Sequence, residues 1–391
     1  MRGVRKGAIS AGLILLAVAH VAYWYWPRER AGRPARHSPV AGILAADDLA
    51  LRVWVAYPHQ NLAFLASSDS GDNWRQGLAQ LAGLPEIELP RFGPFPLPPA
   101  DGLAVATDEK GERLRVAAQV YPLISWLARA AGKVADNPWL AGGEIDQGGR
   151  RLIVAWEGRT WTLRTPGDEW PTGEIDDERE ALALVALGVA VEPFPAGRYR
   201  LLRSAAHLDL LSDAAEAADL AEPDSGVLMA TARQASGLSA SAVLGPGQGS
   251  LRGVPSAVVF AQEGVDLPAL PFERLYRVLG IKRREAKVGS FRLVASDRLA
   301  LGRGRELVPG LQQAAGEDDL ALAYSVDLDV VREVSSSLEK AFKGIPLPAI
   351  REVKRWRGAA LVLTELGAYD RWTLEVAASG GHVRSRLWHA D

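Results

Sequence analysis

No cysteine occurs among the 391 residues of the chain. Its absence excludes disulfide bonds, thiolate nucleophiles, iron–sulfur clusters and zinc sites built on thiolate ligands. Histidine is also scarce, with six residues, and no two of them have the spacing of the metal-binding motifs H-x-x-x-H and H-E-x-x-H. We therefore expect neither a metal ion nor another cofactor, while metal sites made of carboxylates alone stay open.

An excess of either charge is lacking as well, since the formal net charge is −2. A chain without a strong positive field is not drawn to nucleic acid, so no nucleic-acid partner is predicted. Hydrophobic residues make up 48% and charged residues 24% of the chain, which is the mixture of a globular protein and not of a disordered one. Arginine far outnumbers lysine, a bias that indicates a GC-rich bacterial gene.

The sequence motifs of several enzyme classes are missing. The G-x-S-x-G motif of serine hydrolases does not occur, and the nearest match, residues 237–241, has serine at its last position. The glycine-rich stretch 245–250 lacks both the third glycine of a dinucleotide fingerprint and the lysine of a P-loop, and it predicts a turn between strands. No catalytic or cofactor-binding residue is predicted, which favours a protein that is not an enzyme.

A long hydrophobic run is present at residues 8–26, AISAGLILLAVAHVAYWYW. As a helix with a rise of about 1.5 Å per residue, it nearly spans a hydrocarbon core about 30 Å thick. Four aromatic side chains at its end suit the headgroup region: Tyr23, Trp24, Tyr25 and Trp26. A cleavable signal peptide is the alternative, since Ala17-Val18-Ala19 fits a cleavage site, but the aromatic cluster favours an uncleaved transmembrane anchor.

The basic residues beside this run bear on its orientation. Three lie in the tail 1–7 and four arginines lie within 28–36, so the two flanks nearly balance. A short basic tail before a first hydrophobic segment usually stays inside the cell. We therefore predict a single-pass protein of the bacterial inner membrane with its bulk in the periplasm. Its predicted partners are the lipid bilayer and an unidentified envelope protein or lipid.

The remainder shows a recurring order of periodicities: a strand-like run, a helical pattern and two further strand-like runs. In the clearest copy, a strand over 114–121 leads into a helix that begins at Pro122, and strands over 151–157 and 159–164 follow. We predict an α+β fold of about five loosely repeated β-α-β-β units, preceded by one N-terminal transmembrane helix. The units are expected to form mostly antiparallel sheets with helices packed on one face.

Four details of this fold are specific enough to be tested. The helix after Pro122 has apolar residues on one face, and these are predicted to face the core together with Trp126: Leu123, Leu127, Ala130 or Ala131, and Val134. A hairpin is predicted to turn at Ser296-Asp297, a strand is predicted over 359–365, and a helical pattern is predicted at Leu211 and Ala215.

The predicted organisation follows from composition. A break is expected near TPGDEWPTGEIDD, which precedes an apolar run and then PFPAG. The predicted segments are a basic tail 1–7, the anchor 8–26, an Arg/Pro-rich stalk 27–45, a first α+β domain 46–166, a linker with an apolar helix 167–197, and a second α+β domain 198–391.

Residues 67–74, SSDSGDNW, fit the pattern S-x-D-x-G-x-x-W, and Gly167-Asp-Glu-Trp170 is a degenerate copy. They resemble the Asp-box of sialidase-type β-propellers, which implies a carbohydrate-binding or carbohydrate-active domain as an alternative function. A propeller contains almost no helix, whereas this chain shows several helical patterns. The alternative interpretation of these residues is a helix N-terminus capped by Ser70 or Asp72.

Two basic clusters are candidate contact sites. Lys354, Arg355, Trp356 and Arg357 place a tryptophan among cations, as interfacial segments do, and form the candidate membrane-surface or partner patch. Residues 282–284 are the other cluster. A solvated helix end whose arginine stems cover Trp356 is the alternative. Together these features predict a membrane-anchored, non-catalytic scaffold or interaction module.

Overall fold

The computed structural model describes residues 31–34, 38–46, 48–61, 100–109, 112–147, 149–168, 180–190, 194–204, 206–213, 215, 220, 222–247, 253–316, 320–341, 356–362, 369–377 and 381–389. Within these residues the fold is α+β, with antiparallel strand pairing throughout, as predicted. The predicted anchor, its aromatic cluster and the Asp-box at 67–74 lie outside the described residues. No helix of the described part is long and apolar enough to span a bilayer.

The chain divides into two compact units, Met1–Ser68 with Leu89–Leu202, and Asp69–Glu88 with Arg203–Asp391. The boundary thus falls just after the predicted linker 167–197. Residues of that linker belong to the first unit, because they hydrogen-bond within its sheet.

The described residues of the first unit form eight strands and four short to medium helices. The strands are β1 Leu51–Ala56, β2 Ala100–Thr107, β3 Leu114–Val120, β4 Gly143–Gln147, β5 Arg150–Glu157, β6 Thr160–Arg164, β7 Ala183–Leu187 and β8 Gly197–Arg203. The helices are α1 Pro39–Ala45, α2 Pro58–Asn61, α3 Pro122–Val134 and α4 Pro138–Ala141. Strand pairing gives the order β8-β7-β1-β2-β3-β6-β5-β4.

In the second unit the described residues form nine strands. They are β9 His207–Ser212, β10 Leu228–Gln234, β11 Gly237–Pro246, β12 Pro255–Gln262, β13 Arg284–Val288, β14 Phe291–Ala295, β15 Leu320–Asp327, β16 Tyr369–Ala377 and β17 Val383–His389. The helices are α5 Glu273–Val278, α6 Arg298–Ala314, α7 Leu328–Ala341 and α8 at 356–362. The pairing order is β9-β17-β16-β15-β10-β11-β12-β14-β13.

Both units share one seven-strand topology. Each topology begins with a three-strand meander, β1-β2-β3 in the first unit and β10-β11-β12 in the second. A helical segment and a hairpin follow. The second strand of the hairpin pairs with the third strand of the meander, β6 with β3 and β14 with β12. The next strand pairs with the first meander strand, and the strand after that extends the sheet: β7 and β8, β15 and β16. The repeat is therefore a duplicated module in which the predicted β-α-β-β order recurs only locally.

Helices cover both faces of each sheet, not one face as predicted. In the second unit, Val258 and Phe260 of β12 pack under α6, whereas the alternate residue Val259 packs with α5 and α7. In the first unit, Ala117 of β3 packs with α1, whereas Ala118 lies in the cluster on the other face. Central strands that are apolar at successive positions require cover on both sides.

Part of the predicted stalk belongs to the first folded unit. Ser38 caps α1 by accepting a hydrogen bond from the backbone N–H of Ala41, 3.2 Å away. Ile43 is buried against the sheet. Arg52 donates to the carbonyls of Leu44 and Ala46 at the C-terminal end of α1, where a cation is favourable.

Three further predictions are corrected by hydrogen bonding. The apolar run 181–190, expected as a helix, contains β7 between β1 and β8, and a short apolar run does not distinguish the two states. The Ser296-Asp297 turn is the start of α6, since Asp297 accepts from the N–H of Ala300 at 2.9 Å; the hairpin turns instead at Gly289. Leu211 lies in β9, and residues 359–362, expected as a strand, belong to α8.

Candidate interaction surface

Helix α3 presents four of its five large apolar side chains to solvent, and the fifth, Ile124, packs against the core. The exposed fractions are high: Leu123 48%, Trp126 66%, Leu127 46% and Val134 89%. The residues that α3 buries are small, Ser125 and Gly132. The prediction that this stripe and Trp126 face the core is therefore wrong.

The orientation of α3 follows from its contact with α4. A Cβ atom at Gly132 would lie 2.4 Å from the backbone nitrogen of Ala141 and 2.6 Å from the carbonyl carbon of Leu140. Only glycine permits so close an approach of two backbones. Ile124 still packs against the core beneath the helix, whereas Leu123, Trp126, Leu127 and Val134 are exposed.

Two tryptophans of the sheet hold α4 in place. The Nε1–H of Trp156 donates to the carbonyl of Leu140 at 2.9 Å, and that of Trp161 donates to the carbonyl of Trp139 at 3.0 Å. The two tryptophans are cross-strand neighbours on β5 and β6, so they fix both carbonyls from one face of the sheet. Helix α3 thus packs against a helix, α4, that two hydrogen bonds attach to the sheet.

Replacing Gly132 by alanine is expected to lower the free energy of unfolding by about 1–3 kcal/mol, because the methyl group meets backbone atoms that cannot rotate away. This outweighs the gain of about 1 kcal/mol that alanine brings to a helix interior. The matched control is Gly302→Ala in α6, where a Cβ meets nothing within 4 Å and stabilisation is expected. Equilibrium urea unfolding measures both; equal effects at the two sites would contradict the close α3–α4 contact.

The charges of α3 border its apolar face. Arg129 and Lys133 are the charged residues of this helix, and it has no acidic residue. Arg129 donates to the carbonyl of Gly158 at 3.3 Å, which draws its guanidinium toward the β5–β6 turn. A contiguous exposed apolar face of this kind marks an interaction site. We define the α3 face as Leu123, Trp126, Leu127 and Val134.

The equivalent element of the second unit is also exposed. Helix α5 lies between the third meander strand and the hairpin, as α3 does. Leu275 and Tyr276 of α5 are buried, as is Phe272 just before the helix, whereas Leu279 just after it is exposed. Val278 and Leu279 are 79% and 45% exposed and stand among basic residues that include the predicted cluster 282–284.

The predicted patch at 354–357 is only partly described. Lys354 and Arg355 lie outside the described residues. Trp356 packs against Phe272, with ring centroids 5.4 Å apart, and contributes to the core beneath α7. Arg357 forms an ion pair with Glu339 at 3.3 Å. The apolar member of this patch therefore points toward the core of its unit.

The ion-pair cluster around Arg115 in the first unit joins a buried carboxylate, Asp168, and a half-exposed one, Asp48. Arg115 contacts Asp168 at 2.6 Å and Asp48 at 3.3 Å. Burial alone would raise the pKa of the Asp48 carboxyl, but Arg115 and Arg113 lower it below its ordinary value. Through the Arg115–Asp168 pair, the cluster holds the loop after β6 against β3.

The candidate surface could have been found partly from sequence. Ser125, Ala128 and Gly132 place small residues along one side of α3, a signal of close helix approach that was outweighed by the larger apolar stripe. Among the described residues, no group of three histidine, aspartate or glutamate side chains could hold a metal ion. Comparison of the chain with protein-family models, with curated proteins and with solved structures finds no match.

Proposed function

We propose that the protein is a membrane-anchored, non-catalytic interaction module of the bacterial cell envelope, with its bulk in the periplasm. The observation that carries this proposal is the outward α3 face. The hydrophobic run 8–26 supplies the tether, which restricts the partner to molecules at the same membrane.

Energetics support binding at this face. Full burial of a leucine, valine or aromatic side chain contributes about 1.5–3 kcal/mol of free energy. The four side chains of the α3 face are largely exposed in the folded unit, so most of this free energy is still to be gained when a partner covers them. Tryptophan and arginine are enriched among residues that dominate binding energy, and Trp126 stands one helical turn from Arg129. A partner that covers the α3 face would bury them together.

The carbohydrate-binding alternative receives less support. The described strands pair into runs of eight and nine strands with helices on both faces, whereas propeller blades are four-stranded. Trp54 and Trp161 are buried, and Trp139 packs on Trp161 with ring centroids 6.4 Å apart, so these rings are not available for stacking on a sugar.

Site-specific photocrosslinking tests the proposal. With p-benzoylphenylalanine at position 126 of the full chain in native membranes, we expect a discrete adduct, because Trp126 stands at the centre of the α3 face. The matched control is position 150, where exposed Arg150 begins β5. The adduct should weaken when Leu123 and Leu127 are both changed to aspartate. No adduct at 126, or equal adducts at 126 and 150, would contradict an interaction role for this face.

A further inference from the structure

The α5 loop, residues 274–284, presents the aliphatic side chains of Val278 and Leu279 at a hydrogen-bonded turn. The N–H of Ile281 donates to the carbonyl of Tyr276 at 2.9 Å, and Gly280 between them has φ of +67°. This is the helix ending that places glycine in the left-handed region. Tyr276 is itself tied down, since its hydroxyl donates to the carbonyl of Pro255 at 2.6 Å. Val278 and Leu279 are therefore held outward by a buried base.

Positive charge surrounds these two side chains. The exposed basic residues of the loop are Arg274, Arg277, Lys282, Arg283 and Arg284. Glu273 forms ion pairs with Arg277, at 3.0 Å, and with Arg283. Among the described residues no ion pair neutralises Arg274, Lys282 or Arg284. The loop thus combines an apolar tip with three basic residues that no ion pair of the described residues neutralises.

We infer that the α5 loop docks on the surface of an anionic lipid bilayer. Val278 and Leu279 would enter the boundary between headgroups and acyl chains, and the basic residues would contact lipid phosphates. Apolar insertion and attraction to anionic lipid are the two contributions that hold peripheral segments on membranes. The inference rests on the proposed function, because the tether is what keeps the unit beside a bilayer.

Charge and size favour lipid over a protein partner. A stable protein interface buries about 800 Å² on each partner and is depleted of lysine at its centre. Two aliphatic side chains ringed by five cations form too small an apolar centre for that. An anionic surface, in contrast, needs no shape complementarity and matches the excess positive charge.

A probe at position 278 tests the inference. Because the chain has no cysteine, Val278→Cys provides a unique thiol for an environment-sensitive fluorophore on the full chain. With phosphatidylglycerol in the vesicles we expect a blue shift and quenching by lipid-attached quenchers, both absent with phosphatidylcholine alone. The control is Glu306→Cys on exposed α6, which should remain in water. Changing Arg274, Lys282 and Arg284 to glutamine should lower the docking equilibrium constant about a hundredfold.

The outcomes separate this inference from the proposed function. A probe that stays in water with anionic vesicles, or a shift that survives the triple substitution, overturns the docking. A shift that appears without vesicles and grows with protein concentration assigns the loop to a second copy and also overturns it. Flotation with neutral vesicles reports the tether alone: a chain that floats with neutral vesicles but whose probe stays in water with anionic vesicles loses the docking and keeps the anchor.

Discussion

Replacing Asp209 by alanine is expected to lower the free energy of unfolding of the second unit by about 3–5 kcal/mol, because it removes the buried carboxylate that pairs with the guanidinium of Arg386. Asp209 of β9 accepts two hydrogen bonds from the guanidinium of Arg386 on β17, at 2.7 and 3.1 Å. The two side chains are 9% and 7% exposed. The pair joins neighbouring strands at matching register positions, so its loss also weakens the edge of the sheet.

Urea unfolding of single and double variants measures this effect. Asp209→Leu combined with Arg386→Leu should recover most of the loss, since removal of both buried charges is often nearly neutral. Glu263→Ala is the exposed control, because Glu263 meets Lys287 at 3.3 Å with both side chains largely in solvent, and a change below about 1 kcal/mol is expected. A loss of the same small size for Asp209→Ala would show that Arg386 is solvated.

Replacing Trp161 by alanine is expected to cost about 3–5 kcal/mol of stability, whereas Trp126→Ala should change it by no more than about 0.5 kcal/mol. Trp161 is 2% exposed, so its ring fills the core, and its indole N–H donates a hydrogen bond to the carbonyl of Trp139 in α4. Trp126 is 66% exposed. The same substitution at two tryptophans of one unit therefore distinguishes core from surface.

Thermal and urea unfolding of the two variants provide the comparison. If Trp126→Ala unfolds at nearly the same urea concentration as the native protein, the variant can also be used in binding experiments. A loss of binding could then not be ascribed to misfolding. If Trp126→Ala is instead as damaging as Trp161→Ala, the apolar stripe of α3 faces the core and the proposed interaction surface fails.

Much of the local structure was predictable. Strands β3, β6, β12 and β15 and helix α7 carry clear periodicities, and Pro122 marks the beginning of α3 because proline tolerates the first helical turn. Helix α6 was missed because its glycines and Pro309 weaken the helical signal. The packing of α6 on β12 explains one of these glycines, because a Cβ atom at Gly304 would lie 3.0 Å from the side chain of Val258.

The direction in which the α3 face points could not be predicted from the local sequence. The apolar stripe of α3 specified that a helix forms and which residues share a side. Its direction depended on Gly132 meeting the backbone of α4, and α4 in turn depended on Trp156 and Trp161, which are distant in sequence from the stripe. Likewise an apolar run became β7 because β1 and β8 offer it hydrogen bonds. Local periodicity records the sidedness of an element, but only non-local contacts decide which of its sides is buried.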